Sequence, residues 1–283
     1  MRKNLNDLKK RIKNKIPHLT ESQKVIADYI IESPERFVLS SIREIARDSK
    51  ISKSTIVRLA QALGYNGVYE MKSAFLESIR HELDPIDRYK TFLSNPTDEK
   101  NFLSLIAKET ISNINSTLKL IDEEQFKKVV HLLEAANHVH TMGLGISTYL
   151  AEFAYYLFSR VSIKSFTMQN GLTFAEQIVN FERDDVIFAF SFPPYSRETI
   201  QAASYAQEKR IKVISVTNKV TSEIVQYSDI SLQVAAESIT GFNSIGGVMV
   251  LLYSLSAQIG KDLRIKTLET IESIQHVRKE HSV

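Results

Sequence analysis

The chain has 283 residues, more than one average domain, and its net charge is only +3. It contains no cysteine, which excludes disulfides and thiolate zinc sites. No uncharged apolar run is long enough to cross a bilayer, and the basic N-terminus lacks the apolar stretch of a signal peptide. We therefore expect a two-domain protein in the cytoplasm that has no membrane partner.

Helical periodicity and capping residues predict five short helices in the first third of the chain. They cover, in order, residues 2–15, 20–33, 42–48, 53–63 and 68–82. Ser41 and Ser52 are the predicted N-caps of the third and fourth helices, and Gly64 ends the fourth. The first helix is amphipathic and basic, and Pro17 stops it.

The third and fourth helices have the pattern of a helix-turn-helix. The bend between them leaves little room, so the two helices must pack through a fixed set of small and branched apolar residues. That set is Ile45, Ala46, Ile51, Ile56 and Leu59. Ala46 allows close helix approach, and Ile51 fills the bend.

The opposite face of the fourth helix carries the residues that we predict to contact DNA. Lys53, Ser54, Thr55 and Arg58 lie near the N-terminal end of this helix, where major-groove contacts usually occur. The first 95 residues carry 18 Lys and Arg against 12 Asp and Glu, and the remainder carries 18 against 21. This excess of positive charge favours phosphate binding. The alternative is a plain helical hairpin, since Lys50 stands where such bends often have glycine.

Residues 84–100 contain Pro85 and Pro96 and are predicted to form a linker. Two helices follow, near 102–121 and 123–136. After them the spacing of the apolar residues changes from a helical to a strand-like pattern. Short β-branched runs alternate with helical stretches, which predicts a doubly wound parallel sheet. The predicted strands are 139–142, 163–167, 186–190, 213–216 and 230–234. The predicted organisation is an all-α helix-turn-helix domain at 1–83, a linker at 84–100 and an α/β domain at 101–283.

The first strand runs into a glycine-containing turn that suits a small anionic ligand. Gly143 and Gly145 let the backbone approach a ligand, and Ser147 lies at the start of the next helix. Thr148 stands where a dinucleotide fingerprint has its third glycine, and no acidic residue ends the second strand. Nicotinamide binding is therefore disfavoured, and we predict no cofactor.

The turn after the third strand supplies the other half of the candidate ligand site. Ser191, Tyr195 and Ser196 offer hydroxyl groups at the carboxyl edge, where parallel sheets bind ligands. The alternative is that the serines only cap the following helix. Glu237, after the last strand, is a further candidate acceptor of sugar hydroxyls, although a solvated loop carboxylate is a comparable interpretation.

Two histidines alternate on the first strand. His138 and His140 share a face, which is one way to hold a metal, but the sequence shows no third ligand. We therefore predict no metal site. Catalytic residues are not predicted either.

The order of these features resembles the RpiR family of bacterial regulators, and the second half resembles the SIS (sugar isomerase) domain. The similarity spans roughly residues 5–260 and includes the run Leu63-Gly64-Tyr65-Asn66-Gly67 followed by Lys72. The resemblance implies binding to double-stranded operator DNA, a phosphosugar or amino-sugar phosphate effector, and a homodimer or homotetramer. Pro193-Pro194 departs from the family's Ser-x-Ser-Gly-x-Thr pattern and removes two N–H donors.

We therefore predict a DNA-binding transcriptional regulator of carbohydrate metabolism whose SIS domain binds a phosphosugar effector and alters operator affinity. The alternative is a sugar-phosphate isomerase with a helical extension, whose base would be Glu237, His138 or His140. A third interpretation, a helical scaffold on an inert α/β fold, does not explain the positive first half.

Overall fold

A computed structural model describes residues 5–79, 85–94, 101–169 and 172–280. Contacts divide the chain into two compact units. The first holds the helices up to Ser94 and residues 239–241, and the second holds residues 101–238 and 242–280. No helix within these described ranges is long and apolar enough to cross a membrane.

The first unit is entirely helical. Its α-helices are α1 (Leu5–Lys15), α2 (Glu21–Glu32), α3 (Pro34–Leu39), α4 (Ile42–Ser49), α5 (Lys53–Ala62), α6 (Val68–Ile79) and α7 (Pro85–Ser94). Capping boxes start α2 at Thr20 and α4 at Ser41, and Ser52 caps α5, so the predicted caps of both helices of the bend are confirmed.

The apolar residues predicted at the bend form the centre of this unit. Ile45, Ile56 and Leu59 are fully buried, and Ala46 and Ile51 pack against the same cluster. Leu8 and Ile12 of α1 are also buried in this cluster, so the apolar face of the basic arm belongs to the core. Its charged residues remain on the outer side, as the amphipathic pattern requires.

Gly64 ends α5 in a conformation that favours glycine. Its φ is +81°, and a Cβ at this position would lie 2.8 Å from Arg11 Nη2. The amide N–H of the next residue, Tyr65, donates to Ala60 O at 2.9 Å, which closes the helix end. Arg11 also lies over the Tyr65 ring, 4.9 Å from its centroid. The Leu-Gly-Tyr run therefore joins α5 to α1.

We predict that Gly64→Ala destabilises the protein by about 1–2 kcal/mol, because an L-residue pays for the left-handed conformation. Chemical denaturation followed by circular dichroism would measure this. Gly67→Ala is the matched control, since its Cβ would have no neighbour within 4 Å and its φ is not positive. Equal stability of Gly64→Ala and the wild type would contradict this account of the turn.

Two helices in this unit lie where the sequence pattern predicts none. Pro34 was predicted to follow the end of a helix, yet it is the first residue of α3, which buries Phe37 and Val38. Proline is well suited to the first turn of a helix, because its missing N–H has no helical partner there. Similarly, α7 lies inside the predicted linker and contacts α3. The boundaries of the two predicted domains stay a prediction.

The second unit contains a five-stranded parallel sheet. Its strands are β1 (Val139–Met142), β2 (Ser165–Thr167), β3 (Val186–Ser191), β4 (Lys212–Thr217) and β5 (Ile230–Gln233). The α-helices are α8 (Phe102–Leu120), α9 (Glu123–Ala135), α10 (Ile146–Arg160), α11 (Phe174–Ile178), α12 (Arg197–Glu208), α13 (Gly246–Asp262) and α14 (Arg264–Glu280).

Helices cover both faces of the sheet. Residues of α9, α10 and α13 pack on one face, and residues of α11 and α12 pack on the other. The strand order is β2-β1-β3-β4-β5, so the chain changes direction across the sheet between β1 and β3. The predicted doubly wound sheet is confirmed. In such sheets the crevice at the carboxyl ends of the strands flanking this switch point is the usual ligand site.

Candidate functional site

The N-terminal end of α5 is an exposed basic and hydroxyl surface. Lys53, Ser54 and Arg58 are exposed, and Thr55 is half-buried beside the buried Ile56. Ser52 Oγ accepts from the Thr55 N–H at 3.2 Å and lies 2.9 Å from both Ser54 Oγ and Thr55 Oγ1. The hydroxyls thus form one local network around the helix start, and the two cations flank it.

The start of α5 carries two exposed cations, Lys53 and Arg58. Among the described residues, neither Lys53 nor Arg58 has an acidic partner within ion-pair distance. By contrast, Asp48 at the end of α4 already forms two ion pairs, with Arg36 at 2.8 Å and with Arg47 at 3.3 Å. The field at the start of α5 is therefore positive, and the helix dipole adds to it.

The bend that holds α5 is built without glycine. Lys50 takes the left-handed conformation, with φ of +56°, and its N–H donates to Ala46 O or Arg47 O. Lys72 of α6 has a structural contact here, because its ammonium donates to Ser40 O at 2.6 Å. Burial lowers the pKa of Lys72, with Glu44 acting in the opposite direction. Lys72 therefore fixes the entry to the bend.

In the second unit, the loops after β1 and β3 lie side by side, because these strands pair with Met142 opposite Ala189. Gly145 is the N-cap of α10 and has φ of +65°. A Cβ on Gly143 would lie 2.6 Å from both Ser147 Cβ and Ser147 O, so only glycine lets α10 start this close to the strand. Ser147 itself is buried, and Thr148 Oγ1 donates to Gly143 O at 2.9 Å.

Three buried hydroxyl groups, two on strands and one on α12, lie at this edge of the sheet. Ser191 and Thr217 are register partners at the ends of β3 and β4, and they share the face of Ala189 and Val213. Thr199 lies in the first turn of α12. Each residue is at most 2% exposed, and none of the three hydroxyls has a hydrogen-bond partner within the described part of the chain. Unsatisfied buried hydroxyls are unfavourable, which favours a ligand or water as their partner.

The loop that contains Pro193-Pro194 is held from both sides. Tyr195 Oη donates to Asn218 Oδ1 at 2.7 Å, which ties this loop to the residue after β4. Asn243 Nδ2 donates to Pro193 O at 2.6 Å. Pro194 is exposed, and Tyr195 is half-buried. The hydroxyl predicted for a ligand at Tyr195 is therefore engaged with Asn218.

Two other predicted ligand residues have structural contacts. Ser196 caps α12, accepting from the Thr199 N–H at 3.2 Å, so the capping alternative describes its contact. Glu237 lies after β5 and is half-buried, and its carbonyl oxygen accepts from Asn113 Nδ2 at 2.7 Å. A role of either residue in ligand binding stays a prediction.

Thr199 and Thr217 were not among the predicted ligand residues. Thr217 is the last residue of a strand, and Thr199 is three residues beyond a predicted cap. Both positions carry a weak signal, namely a hydroxyl at the carboxyl edge of a parallel sheet. Which face they occupy depends on the strand register, which the sequence does not reveal.

Comparison with known proteins agrees with this architecture. The "Helix-turn-helix domain, rpiR family" matches residues 6–82, and the SIS domain matches residues 132–259. An uncharacterised HTH-type transcriptional regulator of Bacillus subtilis, YbbH, is 27% identical over 236 residues, which are 79% of this chain and 77% of the relative.

Two solved structures share the fold. The sugar isomerase domain of an RpiR transcription factor from Sphaerobacter thermophilus has a TM-score of 0.61 at 21% identity, covering 62% of this chain and 99% of that one. NanR of Vibrio vulnificus, complexed with ManNAc-6P, has a TM-score of 0.58 at 22% identity, covering 95% and 98%. The chain therefore combines an N-terminal helix-turn-helix domain of the rpiR family with a C-terminal SIS domain.

Proposed function

We propose that this protein is a DNA-binding transcriptional regulator of carbohydrate metabolism whose SIS domain binds a phosphosugar effector. The observation that carries the DNA half is the surface of α5, where Lys53 and Arg58 are exposed and lack acidic partners among the described residues. Such a helix fits the major groove, with its N-terminal residues contacting base edges and phosphates. Lys53, Ser54, Thr55 and Arg58 are the proposed contact residues.

The effector half rests on the edge of the sheet between β1 and β3. A phosphosugar presents anionic oxygens and several hydroxyls. The unpartnered hydroxyls of Ser191, Thr199 and Thr217 offer hydrogen bonds to such groups, and the start of α10 at Gly145 favours the anion. NanR, which has a related fold, is complexed with ManNAc-6P, and this supports a phosphosugar as the class of ligand. Of the predicted set, Gly143, Gly145, Ser147 and Ser191 border this edge.

The proline pair shapes the effector class. Pro193 and Pro194 have no backbone N–H, so this loop contributes fewer donors to a phosphate than a serine-glycine loop would. The side-chain hydroxyls of Ser191 and Thr217 take over that role in our proposal. An amino-sugar phosphate is the preferred class, with Glu237 as an acceptor for its hydroxyls.

We propose that the SIS domain has no isomerase activity. Two of the three candidate bases, His138 and His140, contact Asp185 at the amino ends of β1 and β3, on the opposite edge of the sheet from the proposed effector site. Named relatives such as YbbH are regulators, which supports the same conclusion. We place the protein in the cytoplasm, where its DNA and effector occur.

The experiment combines a DNA-binding titration with an enzyme assay. Binding to the DNA upstream of the protein's own gene is measured by fluorescence anisotropy, and isomerase turnover is measured on the phosphosugars that raise its melting temperature. The proposal predicts specific DNA binding and no turnover. Turnover without DNA binding would instead support the isomerase alternative.

We further propose that the protein is a homo-oligomer joined through its SIS domain. Helix α14 buries only Thr267 among its described residues and exposes Ile265, Leu268 and Ile271. Helix α10, which contacts α14, exposes Tyr149 and Tyr156. Such an apolar surface is typical of an interface, and a second copy of this chain is the proposed occupant because two-fold regulators bind paired half-sites.

We predict that Leu268→Lys reduces the oligomer, because an ammonium placed in an apolar interface loses its hydration. Light scattering after size exclusion would show a smaller mass than that of the wild type. Glu269→Lys, a charge change at the neighbouring exposed position, is the control and should leave the mass unchanged. A wild type that is monomeric at micromolar concentration would contradict the proposal.

A further inference from the structure

A cluster of two histidines and one aspartate lies at the amino edge of the sheet, opposite the proposed effector site. His138 precedes β1, His140 is in β1, and Asp185 precedes β3. Because β1 and β3 pair in parallel with Val139 opposite Val186, Asp185 stands beside His138. His138 Nδ1 lies 3.1 Å from Asp185 Oδ1, and His140 Nε2 lies 3.4 Å from Asp185 Oδ2.

The carboxylate at the centre of this cluster is buried and oriented. The side chain of Asp185 is 4% exposed. Its Oδ2 accepts from the Glu182 N–H at 2.9 Å, so the backbone fixes the direction of the carboxylate. In many metal sites, a group that does not itself bind the ion donates a hydrogen bond to a ligand and so orients it.

The two imidazoles differ in access. The His140 side chain is 12% exposed and stacks on Phe181, with centroids 3.6 Å apart and planes at 12°. Burial lowers the pKa of His140, and Asp185 acts in the opposite direction. The His138 side chain is 35% exposed, which leaves a path from solvent to the cluster.

We propose that His138, His140 and Asp185 bind one divalent transition-metal ion, of which Zn²⁺ is the best match. The three ligand atoms lie within 4.8 Å of one another. Two imidazole nitrogens and one carboxylate oxygen are typical ligands of Zn²⁺, with bonds of about 2.0–2.2 Å and tetrahedral geometry. The fourth position is left to water.

Two of the three separations in the cluster suit ligands that share one ion. Tetrahedral ligands with bonds of about 2.0–2.1 Å are separated by about 3.3 Å from each other. The 3.1 Å between His138 Nδ1 and Asp185 Oδ1 and the 3.4 Å between His140 Nε2 and Asp185 Oδ2 are both close to this separation. The histidine pair lacked a third ligand in the sequence analysis, and the structure supplies Asp185, 45 residues beyond His140 along the chain.

The proposal is independent of the function proposed above. An ion at this site would join the amino ends of β1 and β3, whose carboxyl ends carry the proposed effector loops. Its absence would leave both the DNA surface and the effector edge unchanged in their chemistry. A negative metal titration would therefore leave the proposed DNA-binding function standing, and a negative DNA titration would leave the proposed metal site standing.

The test is a titration of the full-length, chelator-treated protein with Zn²⁺ alone, by calorimetry, and with Co²⁺, by visible absorption. We expect one ion per chain, tetrahedral Co²⁺ bands and a rise in melting temperature. His138→Ala should weaken affinity about tenfold or more, because it removes a ligand at a half-exposed position that the fold tolerates.

His276→Ala is the matched control. His276 is exposed on α14 and lies 3.1 Å from Glu280, so it is the kind of surface pair that binds metal weakly. Its replacement should leave the affinity unchanged, and circular dichroism confirms that each variant is folded. Absence of Zn²⁺ binding by the wild type, or equal affinity of His138→Ala and the wild type, would overturn the proposal. Loss of binding in His276→Ala alone would also overturn it.

Discussion

Replacing Lys53 and Arg58 together with alanine is expected to weaken operator binding about a hundredfold. Each cation at a base edge or phosphate contributes on the order of 1–3 kcal/mol, and about 1.4 kcal/mol corresponds to tenfold. Fluorescence anisotropy at fixed ionic strength measures the loss. Both side chains are exposed and lack acidic partners among the described residues, so their removal should not destabilise the fold.

The salt dependence gives a second readout of the same variant. Each phosphate contact that is lost reduces the slope of log affinity against log salt concentration by about 1. A residue that reads only a base edge would weaken binding with little change in slope. The two single variants therefore assign Lys53 and Arg58 to phosphate or base contacts.

The matched control removes the same charge elsewhere. Lys127 and Lys128 are exposed on α9, where they pair with Glu123 and Glu124 at 2.6 Å. Their double alanine variant should bind DNA as the wild type does. Unchanged DNA affinity of the Lys53 and Arg58 double variant would refute the assignment of α5 as the DNA-reading helix.

Ser191→Ala is expected to weaken effector binding about tenfold or more while leaving the unliganded protein as stable as the wild type. A hydrogen bond to a charged group is worth about 1.5–3 kcal/mol, and its loss accounts for the weaker binding. In the free protein the Ser191 hydroxyl is buried without a partner among the described residues, so its removal costs nothing there. Calorimetry and thermal unfolding measure the two effects.

Ser165→Ala is the control with the opposite expectation. Ser165 is also a buried serine in the sheet, but its hydroxyl donates to Tyr155 O at 3.3 Å and lies in β2, outside the proposed effector edge. Its replacement should lower stability by about 1 kcal/mol and leave effector affinity unchanged. Retention of full effector affinity by Ser191→Ala would contradict the placement of the phosphosugar against β3.

Local sequence patterns were sufficient to predict most of the secondary structure. The caps Ser41 and Ser52 and the helix end at Gly64 are local devices, and all three are found in the structure. The five strands were visible as β-branched apolar runs because strands buried on both faces need apolar residues at successive positions. The observed β3 and β4 differ from the prediction by one residue at one or both ends.

The prediction of helices was wrong at Pro34 and Pro85, because proline is found both after the end of a helix and at the start of one. Proline ends one helix but can also begin the next, so α3 after Pro34 and α7 from Pro85 were both missed. In α3, the buried side chains of Phe37 and Val38 stabilise a helix of only six residues. Their tertiary packing outweighs the local signal, and no window of sequence contains that information.

The site residues that were missed depend on contacts between distant segments. Thr217 faces the same side as Ser191 only because β3 and β4 pair in this register. Asp185 reaches His138 only because β1 and β3 are neighbours, although β2 lies between them in sequence. The sequence therefore revealed which residues can bind a ligand or a metal. Which of them lie close together depends on the pairing of the strands, which only the structure shows.

We propose that effector binding in the SIS domain changes the affinity of the helix-turn-helix domain for DNA. The most direct measurement of this coupling is the operator dissociation constant of the wild-type protein with and without a saturating amino-sugar phosphate that calorimetry has shown to bind. We predict a change of about 5- to 150-fold in either direction, the range typical of allosteric coupling. An identical dissociation constant for the effector-saturated and effector-free protein would contradict it.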